Sequence, residues 1–240
     1  MSRRYGFTLF EMAIVIVIIA LLVAAIYTGA DMLKASQIRK TISQLSQTQT
    51  ALQAFRGKYG QWPGDFNDAS SFWPEAVNGD NNGRIESNSA GSIYEDYNAW
   101  HHLSQAQLID SQFVPVTANP ATTDYSVVPA VTLEKQYLHV FYTTGGGTYL
   151  PKATYLALYS YPRSLPLANS QTLLVMAAHR GMYPADAFNL DTKLDDGLPF
   201  SGIAGPQLST PLLCTDPDGE NVYVFSGAQR DCSFFIRFVF

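Results

Sequence analysis

The run NGDNNGRIE, from Asn78 to Glu86, places oxygen donors at alternate positions: Asn78, Asp80 and Asn82, then Gly83, the Arg84 carbonyl and Ile85. Side-chain and carbonyl oxygens around a sharp glycine turn are the hard donors that calcium takes, and the order matches the first eight positions of a calcium loop in outline. Ser89 stands where the twelfth-position Glu would be, so Glu86, Glu95 or Asp96 would have to complete the set. An Asn-Gly-rich turn without metal fits the same residues. Asp191, Asp195 and Asp196 form a second acidic cluster, read either as another calcium site or, with Lys193, as a solvated helix end. Asp216, Asp218 and Glu220 surround Pro217 and Gly219 and read as a turn. Cys214 and Cys232 stand 18 apart. In an oxidising compartment such a pair bridges, with a gain of about 3 kcal/mol in the chain-entropy model, and the alternative is two buried thiols.

Catalytic signatures are missing. There is no G-x-S-x-G and no H-E-x-x-H, and Gly145 to Gly147 lack the Lys and Ser/Thr of a phosphate loop, so they read as a turn between strands. The adjacent His101 and His102 point to different helix faces, while His139 and His179 are isolated, all four fitting structural or surface positions. No catalytic residue and no required cofactor is assigned, and calcium is the one ion the sequence suggests.

A different chemistry is set up at the N-terminus. From Phe7 to Ala30 the only charge in 24 residues is Glu11, and Met12 to Ile26 is unbroken apolar sequence. That length spans about 30 Å of hydrocarbon as a helix. Arg3 and Arg4 ahead of it hold that end in the cytoplasm and place the residues after Ala30 outside. A cleaved secretory signal would need a small-x-small site after a shorter core, yet the apolar run continues into Tyr27, Thr28, Gly29 and Ala30. A plain anchor leaves Glu11 unexplained, since an intramembrane carboxylate costs about 2.5 to 3.5 kcal/mol at mid-bilayer, less toward the interface, and calls for a cationic partner. Cutting the Gly6–Phe7 bond would supply one, an α-ammonium on Phe7 at the depth of Glu11.

Arg3, Arg4, Gly6, Phe7, Thr8, Leu9, Glu11 and the apolar run beyond resemble the class III signal of type IV pilins and of the pseudopilins of type II secretion. The resemblance implies cleavage after Gly6 by a membrane-embedded prepilin peptidase, methylation of Phe7, and pairing of Glu11 with the N-terminal amine of a neighbouring subunit during assembly. Phe10 departs mildly from the aliphatic residue common before the glutamate. Many filament-forming pilins carry a helix breaker within the apolar half, and here the first is Gly29. Lys58 to Phe66 (KYGQWPGDF) resembles a connecting stretch of many pilin-like proteins, read as a loop without chemistry. A C-terminal disulfide is also common in pilins, and Cys214 and Cys232 resemble it in position.

The elements that carry these residues follow from periodicity. Ile38, Ile42, Leu45, Leu52, Phe55 and Tyr59 recur at helical spacing opposite a wet face of Gln, Ser, Thr and Lys, with no Pro from Phe7 to Trp62. One helix of about 50 residues is predicted, the alternative of a coiled-coil stalk being too short in heptads. Further helices are expected at Asn98 to Ile109 and at Thr172 to His179 or Asp186 to Leu194. Strands are expected at Val127 to Val131, Tyr137 to Tyr142, Thr154 to Tyr161, Asn221 to Phe225 and Ser233 to Phe240. The fold expected is α+β and pilin-like, a long N-terminal helix on an antiparallel sheet head, divided into a leader (1–6), a transmembrane and assembly helix (7–56) and a globular head (57–240).

Composition agrees. Twenty acidic against 15 basic residues give a net charge of −5, which disfavours nucleic acid as partner, and 47% apolar content excludes general disorder. Partners implied by the resemblance are other pilin subunits, prepilin peptidase, the inner-membrane assembly platform and, before assembly, membrane lipid. The expected location is the inner membrane with a periplasmic head, then a pilus or pseudopilus. Size slightly favours a minor or specialised subunit. The competing reading, from the 14 Tyr and 3 Trp, is a pilin-anchored head that binds sugars as an adhesin or lectin, or that is enzymatic.

Overall fold

The structure, a computed structural model, describes residues 8–88, 93–118, 126–133, 136–143, 153–160, 181–206, 214–216, 221–225 and 232–238. Helix α1 runs from Leu9 to Tyr59, 51 residues without a break at Gly29, about 76 Å at 1.5 Å per residue. It ends at Gly60, whose φ of 77° turns the chain out of the helix while its N–H donates to the Arg56 carbonyl. The predicted boundary at residue 56 thus moves three residues on.

The two halves of α1 differ in their surroundings. Leu9 to Thr28 lie exposed, and the most apolar stretch of α1 buries nothing within the chain. Ile38, Thr41, Leu45, Thr48, Ala51, Leu52 and Phe55 are buried against the head. Polar groups also fix the docking. Gln44 Oε1 accepts from the Thr132 N–H (2.9 Å) and hydroxyl (3.0 Å), and Thr41 Oγ1 accepts from the Leu133 N–H at 3.1 Å.

Short helix α2 (Ala69–Phe72) and a hairpin of β1 (Ser87–Asn88) and β2 (Ile93–Tyr94) lead into α3 (Glu95–Gln105). Strands β3 (Tyr137–Thr143), β4 (Ala153–Tyr159), β5 (Ala204–Pro206) and β6 (Phe234–Arg237) form an open four-stranded antiparallel sheet of order β3-β4-β6-β5. Helix α4 (Pro184–Leu194) precedes β5 and touches both it and α1, where Lys34 Nζ meets Asp186 Oδ2 at 2.7 Å. Period-2 alternation sorts the sheet's faces. Leu138, Val140, Leu156, Leu158, Phe234 and Ile236 join the α1 stripe and Trp100 in the main core, while Phe141, Tyr155, Ala157 and Phe235 form a smaller cluster of their own. This is the α+β, pilin-like architecture expected.

Four predicted elements differ. The segment 127–131 forms only a bridge from Ala130 to Tyr137, Pro129 having no N–H to extend a ladder. Asn221 to Phe225 is reduced to a bridge between Thr215 and Tyr223. The helix placed at Asn98 to Ile109 begins earlier and stops at Gln105, and the strand placed at Ser233 to Phe240 is β6 at Phe234–Arg237, with residues 239–240 outside the described residues. The helix alternative at 172–179, His179 and the glycine turn at 145–147 lie outside the described residues.

Candidate functional site

At the N-terminus Thr8 is the N-cap of α1 and forms a capping box with Glu11. Glu11 Oε2 accepts from the Thr8 N–H and from its hydroxyl, each at 2.8 Å, and the Glu11 N–H donates to Thr8 Oγ1 at 3.2 Å. The carboxylate also lies at the positive end of the helix dipole, where an anion is favoured. Glu11 is thus held at the start of an exposed apolar helix. Gly6 and Phe7 lie outside the described residues.

The second site is built where two loops meet α3. Loop 63–66 and loop 77–83 are joined by Gly79 N–H to Phe66 O (2.9 Å) and Asn81 N–H to Asp65 O (3.1 Å). They approach so closely that a Cβ on Gly79 would lie 2.2 Å from the Gly64 carbonyl oxygen. His102 of α3 pins both. Its Nδ1 accepts from the Gly64 N–H and its Nε2 lies 2.9 Å from the Val77 carbonyl, which sets the tautomer with the proton on Nε2. Burial chiefly holds its pKa down at about 4, with His101 adding to the effect and the Val77 bond opposing it.

This frame gathers Asp65, Asp80 and Glu95, one oxygen from each lying within 4.8 Å of the others. Asp65 accepts from the N–H groups of Asn82 (2.8 Å) and Gly83 (3.0 Å), and Glu95 from those of Asp80 (3.0 Å) and Glu86 (3.1 Å). Asp80 accepts from the Asn82 N–H and Nδ2, both at 3.0 Å, and the same Nδ2 reaches Glu86 at 2.9 Å. Gly83 sits at φ 83°, the sharp turn that the sequence pattern requires. Burial pushes Glu95 up to about 8 and Asp65 up to about 6; neighbouring acids add to both shifts and the N–H donors oppose them. No Lys, Arg or His pairs with these carboxylates among the described residues. The hydrogen bonds are therefore those of charged carboxylates, while burial and mutual repulsion disfavour the charge. A divalent cation taking oxygen ligands resolves that conflict, so the donor set fits the group.

Of the sequence-predicted donors, Asp80 lies in the cluster, with Asn82 and Glu86 at its edge, and Glu95 reaches in from beyond the hairpin. Asn78 faces away, its Oδ1 accepting from the Ser70 N–H at 2.8 Å. The Arg84 N–H closes a turn on Asn82 Oδ1, and its guanidinium lies over the Tyr142 ring. Asp65 was missed, because the KYGQWPGDF stretch that holds it reads as a connecting loop without chemistry. The one available signal was a carboxylate directly after a Pro-Gly turn.

Cys214 and Cys232 are bonded, with Cα atoms 5.3 Å apart, joining the 214–216 segment to the bridge that Cys232 forms with Met182 just ahead of β6. Asp191, Asp195 and Asp196 do converge. Asp216 lies by the Thr215–Tyr223 bridge, its N–H donating to Val222 O; Asp218 and Glu220 lie outside the described residues.

Comparison with known families bears on the N-terminus, where residues 1–27 match a family model. The match is to the prokaryotic N-terminal methylation motif, the class III prepilin signal. No curated protein and no solved structure matches the chain. The methylation motif runs into the exposed half of α1, and together they fit anchoring in a membrane before assembly. The motif implies processing by prepilin peptidase and assembly into a pilin filament.

Proposed function

We propose that this chain is a structural subunit, a pilin, minor pilin or pseudopilin, of a type IV pilus or type II secretion filament. Prepilin peptidase cuts after Gly6, Phe7 is methylated, and Glu11 pairs with the Phe7 amine of an adjacent subunit. The observation that carries the reading is the methylation motif continuous with one 51-residue helix, apolar and exposed in its first half and built into the head in its second. Removed from lipid, the apolar half would expose contiguous hydrophobic surface far larger than soluble monomers show, and packing among like helices covers it. The head stays on the far side of the membrane and becomes the filament's outer surface. In a test, Glu11→Ala is processed normally but fails to enter filaments; incorporation at wild-type level would reject the role of Glu11.

The head's cluster of Asp65, Asp80 and Glu95, with Asn82 and Glu86 beside it, is proposed to hold calcium as a structural ion. Calcium at a hundredfold excess over Kd adds about 2.7 kcal/mol to the folded state. The full chain in detergent should melt several degrees higher in calcium than in chelator, with magnesium doing less, and Asp80→Ala should remove most of the difference. Equal melting in calcium and chelator would dismiss the site.

A further inference from the structure

The end of α4 and the loop after it hold another convergence of acids, on elements separate from the first. Asp191 lies in the last turn of α4, Asp195 caps it and Asp196 follows, with one oxygen from each within 4.8 Å of the others. The loop orients two of them from outside. Asp195 Oδ2 accepts from the Ile203 N–H and from the Ala204 N–H (3.2 Å), and a Cβ on Gly202 would collide with the same carboxylate. Asp196 Oδ1 accepts from the Leu198 N–H at 2.9 Å, and its Oδ2 from the Ser201 hydroxyl.

Asp191 points to a ligand for a separate reason. It is fully buried, with 0% of its surface exposed. Its Oδ2 accepts from the Tyr223 hydroxyl at 2.5 Å, while no group among the described residues meets its Oδ1 in hydrogen-bonding geometry. Buried polar atoms are rarely left so, because the group keeps its full desolvation penalty. No Lys, Arg or His pairs with any of the three acids among the described residues.

We propose that Asp191, Asp195 and Asp196 form a second divalent-cation site, of the oxygen-ligand class that calcium fills, with Asp191 Oδ1 as its buried ligand. The ion would tie the end of α4 to the loop leading into β5. Through Tyr223 it would reach the segment bridged to Thr215, next to the disulfide at Cys214. Burial, with the charges of Asp196 and Asp195 added, pushes Asp191 up to about 6 against the pull of the Tyr223 bond and the Gly197 amide, and a cation offsets that repulsion. Three carboxylates without thiolate or imidazole favour calcium over zinc.

The test measures bound calcium by equilibrium dialysis on the full chain in detergent, comparing wild type with Asp191→Asn, Asp196→Asn and Asp80→Asn. Asp191→Asn should lose one ion per chain and Asp196→Asn should weaken one site about tenfold or more, while Asp80→Asn keeps that site. Terbium adds a local readout: Tyr223 should sensitise its emission in the Asp80→Asn background, and adding Asp191→Asn should abolish it. If Asp191→Asn fails to fold, the exposed Asp196→Asn decides the question. Wild-type stoichiometry and affinity in Asp191→Asn or Asp196→Asn would overturn the proposal, as would Asp80→Asn alone removing all bound calcium. Loss of the Asp80 site alone, with the Asp191 site retained, separates failure of the first calcium site from failure of this one.

Discussion

His102 shows how one side chain sets the geometry of a site it does not enter. Removing its ring leaves the buried Gly64 N–H and the half-buried Val77 carbonyl without that partner. His102→Ala should cost about 3 kcal/mol or more in thermal unfolding and weaken calcium binding with it. The pH sign follows from its pKa of about 4 against an ordinary 6.5. Between those values the unfolded chain binds a proton that the fold refuses. His102's contribution is full above about 6.5 and is lost as pH falls toward 4, up to about 3 kcal/mol in all. Asp65 and Glu95, whose pKa values are raised, act oppositely in chelator: their burial costs more as pH rises from about 4 toward 8. The difference between wild type and His102→Ala isolates the histidine, and it should narrow as pH drops from 7 to 5. A constant difference would contradict the account. Here the sequence showed part of the site. Asp80, Asn82, Gly83 and Glu86, in or beside the candidate cluster, were legible because the donor spacing that points to them is local. Asp65 and His102 were not, because their roles depend on loop 63–66 closing onto α3, a contact no local spacing encodes.

At the scale of elements, the core divides α1 where the sequence stripe begins. A fragment starting at residue 57 lacks Ile38, Leu45, Leu52 and Phe55, all at most 2% exposed. Fragment 57–240 should fail to fold cooperatively by circular dichroism, whereas 34–240, which keeps the stripe and the Lys34–Asp186 pair, should fold. Within the full chain Phe55→Ala should lose about 3 to 5 kcal/mol, and Ile18→Ala, on the exposed half, should leave head stability unchanged. The bridge should protect Cys214 and Cys232 from thiol labels until reductant is added. The long helix, β3 and β4 were readable because each is a sustained run of one residue pattern, whereas α4 matches one of the two helix positions the sequence offered, Asp186 to Leu194. The hairpin of β1 and β2 has two residues per strand, too few to show a period, and β5 is Ala-Gly-Pro, a composition that argues against a strand until an edge position beside β6 supplies the pairing. The shortening of 127–131 and 221–225 to bridges has the same root, since propensity gives no information about whether a neighbour lies alongside.

For the whole molecule the decisive feature is a partition along α1. Residues from Met12 to Ile26 present only apolar side chains to their surroundings, and the buried stripe from Ile38 to Phe55 belongs to the head. Such a chain fits anchoring in a membrane before assembly, and the methylation motif at its start implies processing by prepilin peptidase. The measurement closest to this claim is the intact mass of the protein purified from its native membrane. The account predicts a chain that begins at Phe7 and carries one added methyl group. A mature protein that still begins at Met1, or that begins beyond Ala20, would contradict it.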